Sequence, residues 1–510
     1  MLRNIIVFLM ISNLCHAQYK NSVWCFGDSA RIDFVNGTAI AGSSAVGSRG
    51  TCTSIADSAN NLLFYTADDP NYNNVPGYIR RGTVYNKLNA VMDNGDTLVG
   101  LGWYNEHIII PNPAGNNRFY IFHLTASLGL GGIHNGLFYS IVDLNYNNGL
   151  GKLTTKNQHL ITTDYMTDAM AAVKHGNGRD WWIACKPSYV GATSLIPSDT
   201  FYVYLVTPDS IHAPMKQRIG TDRGWGLGNF TFSNAGNMLS IVRSDGIIEV
   251  FDFDRCTGIL SNANIITDSL PLTDGAFIGS AFSPNDSLLY IIKGIYYPFY
   301  LLQYDIYSQD MDTIAQITGT QTVVNRGRSP GHIRLAQDGK IYMTAAYTDT
   351  LGYIYYPYAD TCYFPENMYL GVINNPNAKG AGCNFNNFGF YLGGKRTYWG
   401  LPNNPDYELG ALAGSGCDTL TNLTPDPSPL GERGIKVYPN PASDFVFIRL
   451  KGKTTVEITT MTGLMLKKQL FNYNEEAIVS IPLSNFAQGV YQIKATSETE
   501  EKTAKLVVIR

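Results

Sequence analysis

Phe282-Ser283-Pro284-Asn285-Asp286, followed by Leu288-Leu289-Tyr290-Ile291, is the stretch on which the fold turns. A strand end, a Pro/Asn/Asp turn and a second apolar run are hairpin chemistry. Two near-copies exist. Phe232-Ser233-Asn234 leads through Ala235-Gly236-Asn237 into Met238-Leu239-Ser240-Ile241, and Leu335-Ala336-Gln337-Asp338-Gly339 leads through Lys340 into Ile341-Tyr342-Met343. Working outward, the same unit recurs at Asn60-Asn61 before Leu62-Leu63-Phe64-Tyr65, at Gly115-Asn116-Asn117 before Phe119-Tyr120-Ile121-Phe122, and at Gly176-Asn177-Gly178 before Trp181-Trp182-Ile183. The units lie roughly 50 to 63 residues apart, with several strand runs in each and no helical periodicity, which reads as the blades of an all-β propeller. Six anchors are visible. A last stretch, Phe388 to Leu401, is expected to pair with the N-terminal strand around Val23 to Phe34 and close a seventh blade, so seven blades are favoured and six remain possible. Closing the ring with the two ends of the chain removes exposed sheet edges.

Composition agrees. The 510 residues are 45% hydrophobic but only 15% charged, with 50 Gly and 33 Tyr. Charged residues usually make up about a quarter of a globular chain, whereas turns demand Gly and half-buried pleated faces favour aromatics. The formal net charge of −4 and the lack of a basic run argue against a nucleic-acid partner.

The N-terminus points to export. Arg3 and the mostly apolar Ile5 to Leu14 have the form of a signal peptide over residues 1–17, with Cys15-His16-Ala17 preceding cleavage before Gln18. The apolar run is too short for a membrane anchor, and no later segment would span a bilayer. A lipoprotein acylated at Cys15 is the rival reading; Leu14 stands where that route needs a small residue. Seven cysteines then remain, an odd number, in a compartment that permits disulfides. Cys25–Cys52 and Cys362–Cys383 are the candidate bridges, although spacing does not fix the pairing, and no C-x-x-C pair suggests zinc.

Past the propeller (residues 18–405) the texture becomes rich in Pro, Asn, Gly and Thr, and 406–434 reads as a linker containing Leu423-Thr424-Pro425-Asp426-Pro427-Ser428-Pro429. Alternating runs then resume, among them Phe445-Val446-Phe447-Ile448, Val456-Glu457-Ile458 and Val490-Tyr491-Gln492-Ile493, so that 435–510 suits a small β-sandwich. In order, this unit holds Val437-Tyr438-Pro439-Asn440-Pro441-Ala442, Thr462-Gly463, Ile481-Pro482-Leu483-Ser484, Ala487-Gln488-Gly489-Val490-Tyr491 and a closing Lys502 to Val508. Pro439 and Pro441 lack donors and stop the linker adding to the sheet, while Gly463 and Gly489 suit turns. On these residues the unit resembles the type A C-terminal sorting domain of the type IX secretion system of Bacteroidota. The resemblance implies a sorting motif in Tyr438, Pro439, Asn440, Pro441, Gly463, Gly489 and Tyr491, recognition by that secretion machinery, and delivery across the outer membrane to the cell surface or medium, usually with removal of the domain.

The body carries Trp24 with Phe26-Gly27, Ile32-Asp33-Phe34, Cys52 to Thr66, His107 to Pro113, Val173 to Trp182, Glu249 to Phe253, Tyr369 to Asn377 and Gly400-Leu401-Pro402. On these it resembles the N-terminal propeller region of Bacteroidota proteins related to gliding-motility-associated surface proteins. It departs at Cys25, where an aromatic is common, and at Ala67-Asp68, where Asp-Gly is usual. The resemblance brings no catalytic residue with it.

Motifs that would carry chemistry are missing. There is no H-E-x-x-H and no G-x-S-x-G. Gly224-Trp225-Gly226-Leu227-Gly228 lacks the Lys-Ser/Thr of a phosphate loop. Asp69-Pro70-Asn71-Tyr72-Asn73 starts like a calcium loop, but Asn74 stands where Gly is needed and Arg80 where Glu is. His107 and His175 could act as ligands or bases, but each is better read as satisfying a backbone group. Trp181-Trp182 could offer a sugar-stacking platform, but neighbours in a strand face opposite ways, which favours packing. The sequence thus indicates no catalytic residue, cofactor or metal. It reads as a surface-exposed propeller that binds an extracellular glycan or protein; the alternative is a hydrolase acting on glycan or peptide at the central face.

Overall fold

The computed structural model describes residues 19–68, 81–100, 105–125, 136–162, 166–187, 199–222, 228–267, 277–294, 298–320, 327–348, 356–418, 437–438, 442, 445–460, 464–497 and 501–508. The signal peptide, the calcium-like stretch at 69–74, residues 224–227 of the glycine-rich stretch and most of the expected linker lie outside them. The chain divides into two compact units, Met1–Lys174 with Asp180–Leu409, and His175–Arg179 with Gly410–Arg510. Among the described residues, helix is confined to Pro365–Met368 and two short 3-10 turns at Asn147–Gly149 and Gly380–Cys383. No helix among them is long and apolar enough to cross a membrane.

The first unit is a ring of seven antiparallel meander sheets. Their innermost strands are β1 (Val23–Phe26), β2 (Cys52–Asp57), β3 (His107–Pro111), β4 (Met166–Lys174), β5 (Gly228–Phe232), β6 (Phe277–Phe282) and β7 (Gly327–Leu335). Each of these touches the next around the axis. Five blades have four strands. Blade 1 has three, and blade 2 gains a fifth where Tyr19–Lys20 pairs with the inner edge of β2.

Burial explains the sequence texture. Inner and middle strands lie between two neighbouring sheets, so both faces are covered and they read as unbroken apolar runs. Leu288–Lys293 is buried at every position but its last. Outermost strands such as Met311–Ile317 are mostly exposed and mix polar with apolar residues. Asp286 takes φ +58 in its turn, the left-handed conformation expected of an Asx residue there.

Two expectations are corrected. The seventh blade is not shared between the chain ends: Phe385–Tyr391 pairs with Tyr369–Ile373 as the outer strand of blade 7, and blade 1 is built from residues 23–47 alone. The ring closes instead by face packing, with Trp24 and Phe34 of blade 1 edge-on to Tyr342 of blade 7 at 5.9 and 5.7 Å. Neither candidate disulfide forms, because none of Cys25, Cys52, Cys362 and Cys383 is disulfide-bonded. Cys25 and Cys52 are buried on strands of separate blades; Cys362 lies beside Asn367, and Cys383 beside Tyr290 in the core of blades 6 and 7. Among the described residues, Cys256 and Cys417 are disulfide-bonded. The first compact unit runs to Leu409, and Tyr407 is buried in a core shared by blades 2, 3 and 4.

In the second unit, the expected sandwich is a single sheet folded back on itself. Its strands are β8 (Val437–Tyr438), β9 (Phe445–Thr460), β10 (Met465–Pro482), β11 (Gly489–Ser497) and β12 (Glu501–Val508). The long strands β9 and β10 pair along their length with a register shift between Leu450 and Gly452. Gly452, which sequence reading passed over, takes φ +72 there, a conformation that favours glycine. The first half of β9 pairs with β8 and its second half with β11, so Val446 and Ile448 share one core with Ile458, Ile493 and Leu506.

Candidate functional site

Residues 396–409, which follow the last blade, run along the propeller axis. Arg396 pairs with Asp28 of blade 1, its Nε donating to the carboxylate at 2.7 Å. The Trp399 N–H donates to the Arg49 carbonyl at 3.1 Å, and its own carbonyl accepts from His332 N–H of β7 at 2.6 Å. Asn403 touches four blades. Its N–H donates to Cys52 O at 2.9 Å, its Nδ2 to Asn105 O at 3.1 Å and Met170 O at 3.0 Å, and its Oδ1 accepts from Arg334 Nη2 at 3.0 Å. Asn404 accepts from Thr53 and Ser54 of β2, and the Tyr407 hydroxyl donates to Ile109 O of β3 at 2.9 Å. A residue that reaches four inner strands must sit near the axis, so the chain fills its own centre. Close approach demands glycine at two places: a Cβ on Gly400 would lie 1.7 Å from Gly50 O, and one on Gly331 2.1 Å from Trp399 O.

Arg334 is the buried cation of this network. Its Nη2 also donates to Asn105 Oδ1 at 2.7 Å and its Nη1 to Thr231 Oγ1 at 3.3 Å, while its Nε is buried without a partner. Burial pulls its pKa down to about 10. Beside it lies a cavity of about 360 Å³, bounded by β4, β5, β6, β7, the turns that follow β5 to β7, and Asn403–Leu409. Asp286 ties two of those turns together, its carboxylate accepting from Asn234 N–H at 2.6 Å and Ala235 N–H at 2.8 Å. Sequence reading missed the axial group because Asn403-Asn404-Pro405 looks like the start of a linker, and one Arg in an apolar strand carries no spacing signal.

The singled-out residues are placed as follows. His107, at the start of β3, is fully buried, its Nδ1 2.8 Å from Thr66 Oγ1, and burial pushes its pKa down to about 3. It bonds a neighbouring hydroxyl, not the backbone group expected. His175 Nδ1 accepts from Asn177 N–H at 3.0 Å within its turn. Trp181 and Trp182 are buried on opposite faces of blade 4; Trp181 packs on Tyr407, and the Trp182 indole N–H donates to Arg255 O at 2.8 Å. Among the described residues, no three His, Cys, Asp or Glu side chains gather into a metal-binding group.

Of the sorting-motif residues, Pro439, Asn440, Pro441 and Gly463 lie outside the described residues, and Tyr438 belongs to β8. Gly489 is the first residue of β11, paired with Val508, and not a turn residue with positive φ. Tyr491 is buried against Phe486 with ring centroids 5.4 Å apart, and its hydroxyl donates to Ala487 O at 2.6 Å. That bond closes the Ala487–Tyr491 loop. The same sheet leaves Leu464, Met465, Leu466 and Leu470 exposed.

Residues 436–509 match the family described as the secretion system C-terminal sorting domain. The chain is therefore cargo of the type IX route, carried across the outer membrane to the cell surface or the extracellular space. No curated protein matches the chain. Solved structures similar to it include a 6-phosphogluconolactonase candidate from Bacteroides fragilis (9% identity, TM-score 0.44, covering 76% of this chain and 98% of that one). Another is the periplasmic gluconolactonase of Pseudomonas aeruginosa (12%, 0.40, 66% and 94%). A third is an auxiliary nutrient binding protein from Bacteroides thetaiotaomicron (11%, 0.33, 64% and 73%). Likenesses this distant assign neither a ligand nor a reaction to the chain.

Proposed function

We propose that the propeller is a non-enzymatic binding or adhesion module, exported by its C-terminal domain and displayed outside the outer membrane, where it recognises a glycan or a surface protein. The same reading divides the chain into a signal peptide (1–17), a propeller (18–405), a linker (406–434) and a sorting domain (435–510), with the Tyr438 to Pro441 motif and Gly463, Gly489 and Tyr491 serving recognition or folding of that domain. The observation that carries it is the axial segment. A propeller often works through groups around its central channel; here Arg396–Leu409 fill that space with hydrogen bonds to the inner strands. What supports binding is the combination of a rigid, filled ring with an export signal. Binding of the secreted form to arrays of glycans and surface proteins tests it, with specific and saturable capture expected. Turnover of an arrayed glycan or peptide in place of capture would favour the hydrolase instead.

A further inference from the structure

We propose that the cavity beside the axial segment is a ligand site for a small amphipathic carboxylate, with Arg334 as the residue that pairs with its carboxylate. This rests on the binding reading and names the ligand chemistry of one site within it.

Charge balance carries the argument. Arg334 is 9% exposed and lines the cavity, yet among the described residues no carboxylate pairs with it. Its hydrogen bonds go to the neutral side chains of Asn105, Asn403 and Thr231, and its Nε has none. A buried cation held only by neutral dipoles is poorly compensated. The acidic groups of the same cavity do not compensate it, because they are engaged elsewhere. Glu408 accepts from Gln337 at 2.8 Å and lies 3.9 Å from Lys20 Nζ, and Asp406 accepts from the Glu408 N–H at 2.8 Å. An incoming carboxylate would supply the missing charge as a charge-assisted pair.

The walls define the rest of the ligand. Val173, Phe230, Phe282, Leu335 and Leu409 contribute apolar lining, and the volume of about 360 Å³ lies in the range of small-molecule sites. Thr231 and Asn403 border both the cavity and the guanidinium, so polar groups that bond Arg334 also line the cavity. A compact apolar body with one anionic head fits apolar lining beside an uncompensated guanidinium.

The test uses the full chain and two probe pairs, hexanoate with hexanamide and phenylacetate with phenylacetamide, measured by saturation-transfer NMR and calorimetry. At least one acid is expected to bind tenfold or more tightly than its amide. Arg334→Gln should remove that preference, and Ala336→Phe, which fills the cavity from its wall, should remove binding. Equal affinity for acid and amide, no binding of either acid at millimolar concentration, or undiminished binding to a folded Ala336→Phe variant would each overturn the proposal. The acid–amide comparison on the unaltered chain decides even where a variant fails to fold. Array capture without any carboxylate preference would leave the binding reading standing and remove this one.

Discussion

Arg334 Nη2 donates to Asn403 Oδ1 at 3.0 Å, joining the innermost strand of the last blade to a segment that lies beyond it in the chain. The same Asn403 amide donates to the carbonyls of Asn105 and Met170, in blades 3 and 4. One side chain thus locks the closing strand to blades on the far side of the ring. The ends of the chain are not zipped into a common sheet, so this axial fastening and the Trp24–Tyr342 face contact hold the ring shut.

Asn403→Ala should therefore destabilise strongly for an uncharged change. It strips two carbonyls and one guanidinium of a buried partner, and unsatisfied buried groups cost roughly 1–3 kcal/mol each, so a loss of about 2–5 kcal/mol is expected by urea denaturation. A loss below about 1 kcal/mol would show that the axial segment follows the ring without fastening it.

Gly400 tests the fit of that segment. A methyl at Gly400 would sit 1.7 Å from Gly50 O, which no side-chain rotation relieves, so Gly400→Ala should expel the segment and leave the body largely unfolded at 37 °C. Gly339→Ala is the control. Its Cβ meets nothing within 4 Å, and only φ +77 is unfavourable, so about 1 kcal/mol is expected. Similar melting temperatures for the two variants would contradict the packing described.

Acid should weaken the body between pH 7 and 5, where three buried histidines outweigh one buried carboxyl. Burial holds His107 and His123 down to about 3 and about 4 and His332 well below the ordinary histidine value, so the folded state refuses protons that the unfolded chain accepts below about 6.5. Asp168 acts the other way: burial pushes it up to about 7, so the folded state keeps a proton that the unfolded chain releases above about 4. Three histidines against one carboxyl leave a net loss of stability on acidification, on the order of 2.7 kcal/mol per pH unit at full effect. Urea midpoints should fall from pH 7 to 5, Asp168→Asn should steepen the fall, His107→Gln with His123→Gln should flatten it, and adding His332→Gln should reverse it. A flat profile in the parent chain would refute this balance.

Much of the ring was legible because its hairpins are local. The Ser-Pro-Asn-Asp turn at 283–286, the Ala235-Gly236-Asn237 turn and the Gln337-Asp338-Gly339 turn sit between strands that pair as expected. What was not legible is long-range. Trp24 meeting Tyr342, or Asn403 meeting Arg334, joins residues far apart in the chain, and nothing in the local pattern of either announces the other. The cysteines failed for the same reason, since neighbouring numbers placed Cys25 and Cys52 on different blades. The sorting domain was legible by its ordered motifs. Its folded-over sheet was less so, because the bend depends on Gly452 inside a run that otherwise reads as one strand.

The C-terminal sheet should carry export by itself. Its core consists wholly of its own residues, from Ala442 to Val508, so it can bury apolar surface without help from the propeller. A signal that must be read on any cargo needs that independence. Deleting residues 435–510 should leave a folded propeller in the periplasm, and fusing them to an unrelated periplasmic reporter should move the reporter to the surface of a type IX-competent host. Tyr491→Ala within the fusion separates fold from tag. It removes the Phe486 contact and the hydroxyl bond to Ala487 O, and loss of a buried aromatic typically costs about 3–5 kcal/mol. If the machinery reads a folded sheet, this variant should stay periplasmic while its Pro439, Asn440 and Pro441 are intact. If it reads the extended motif alone, Tyr491→Ala should export normally, and Asn440→Ala with Pro441→Ala should not. Surface protease accessibility of the reporter distinguishes the two, and export of the chain lacking 435–510 would refute the sorting role altogether.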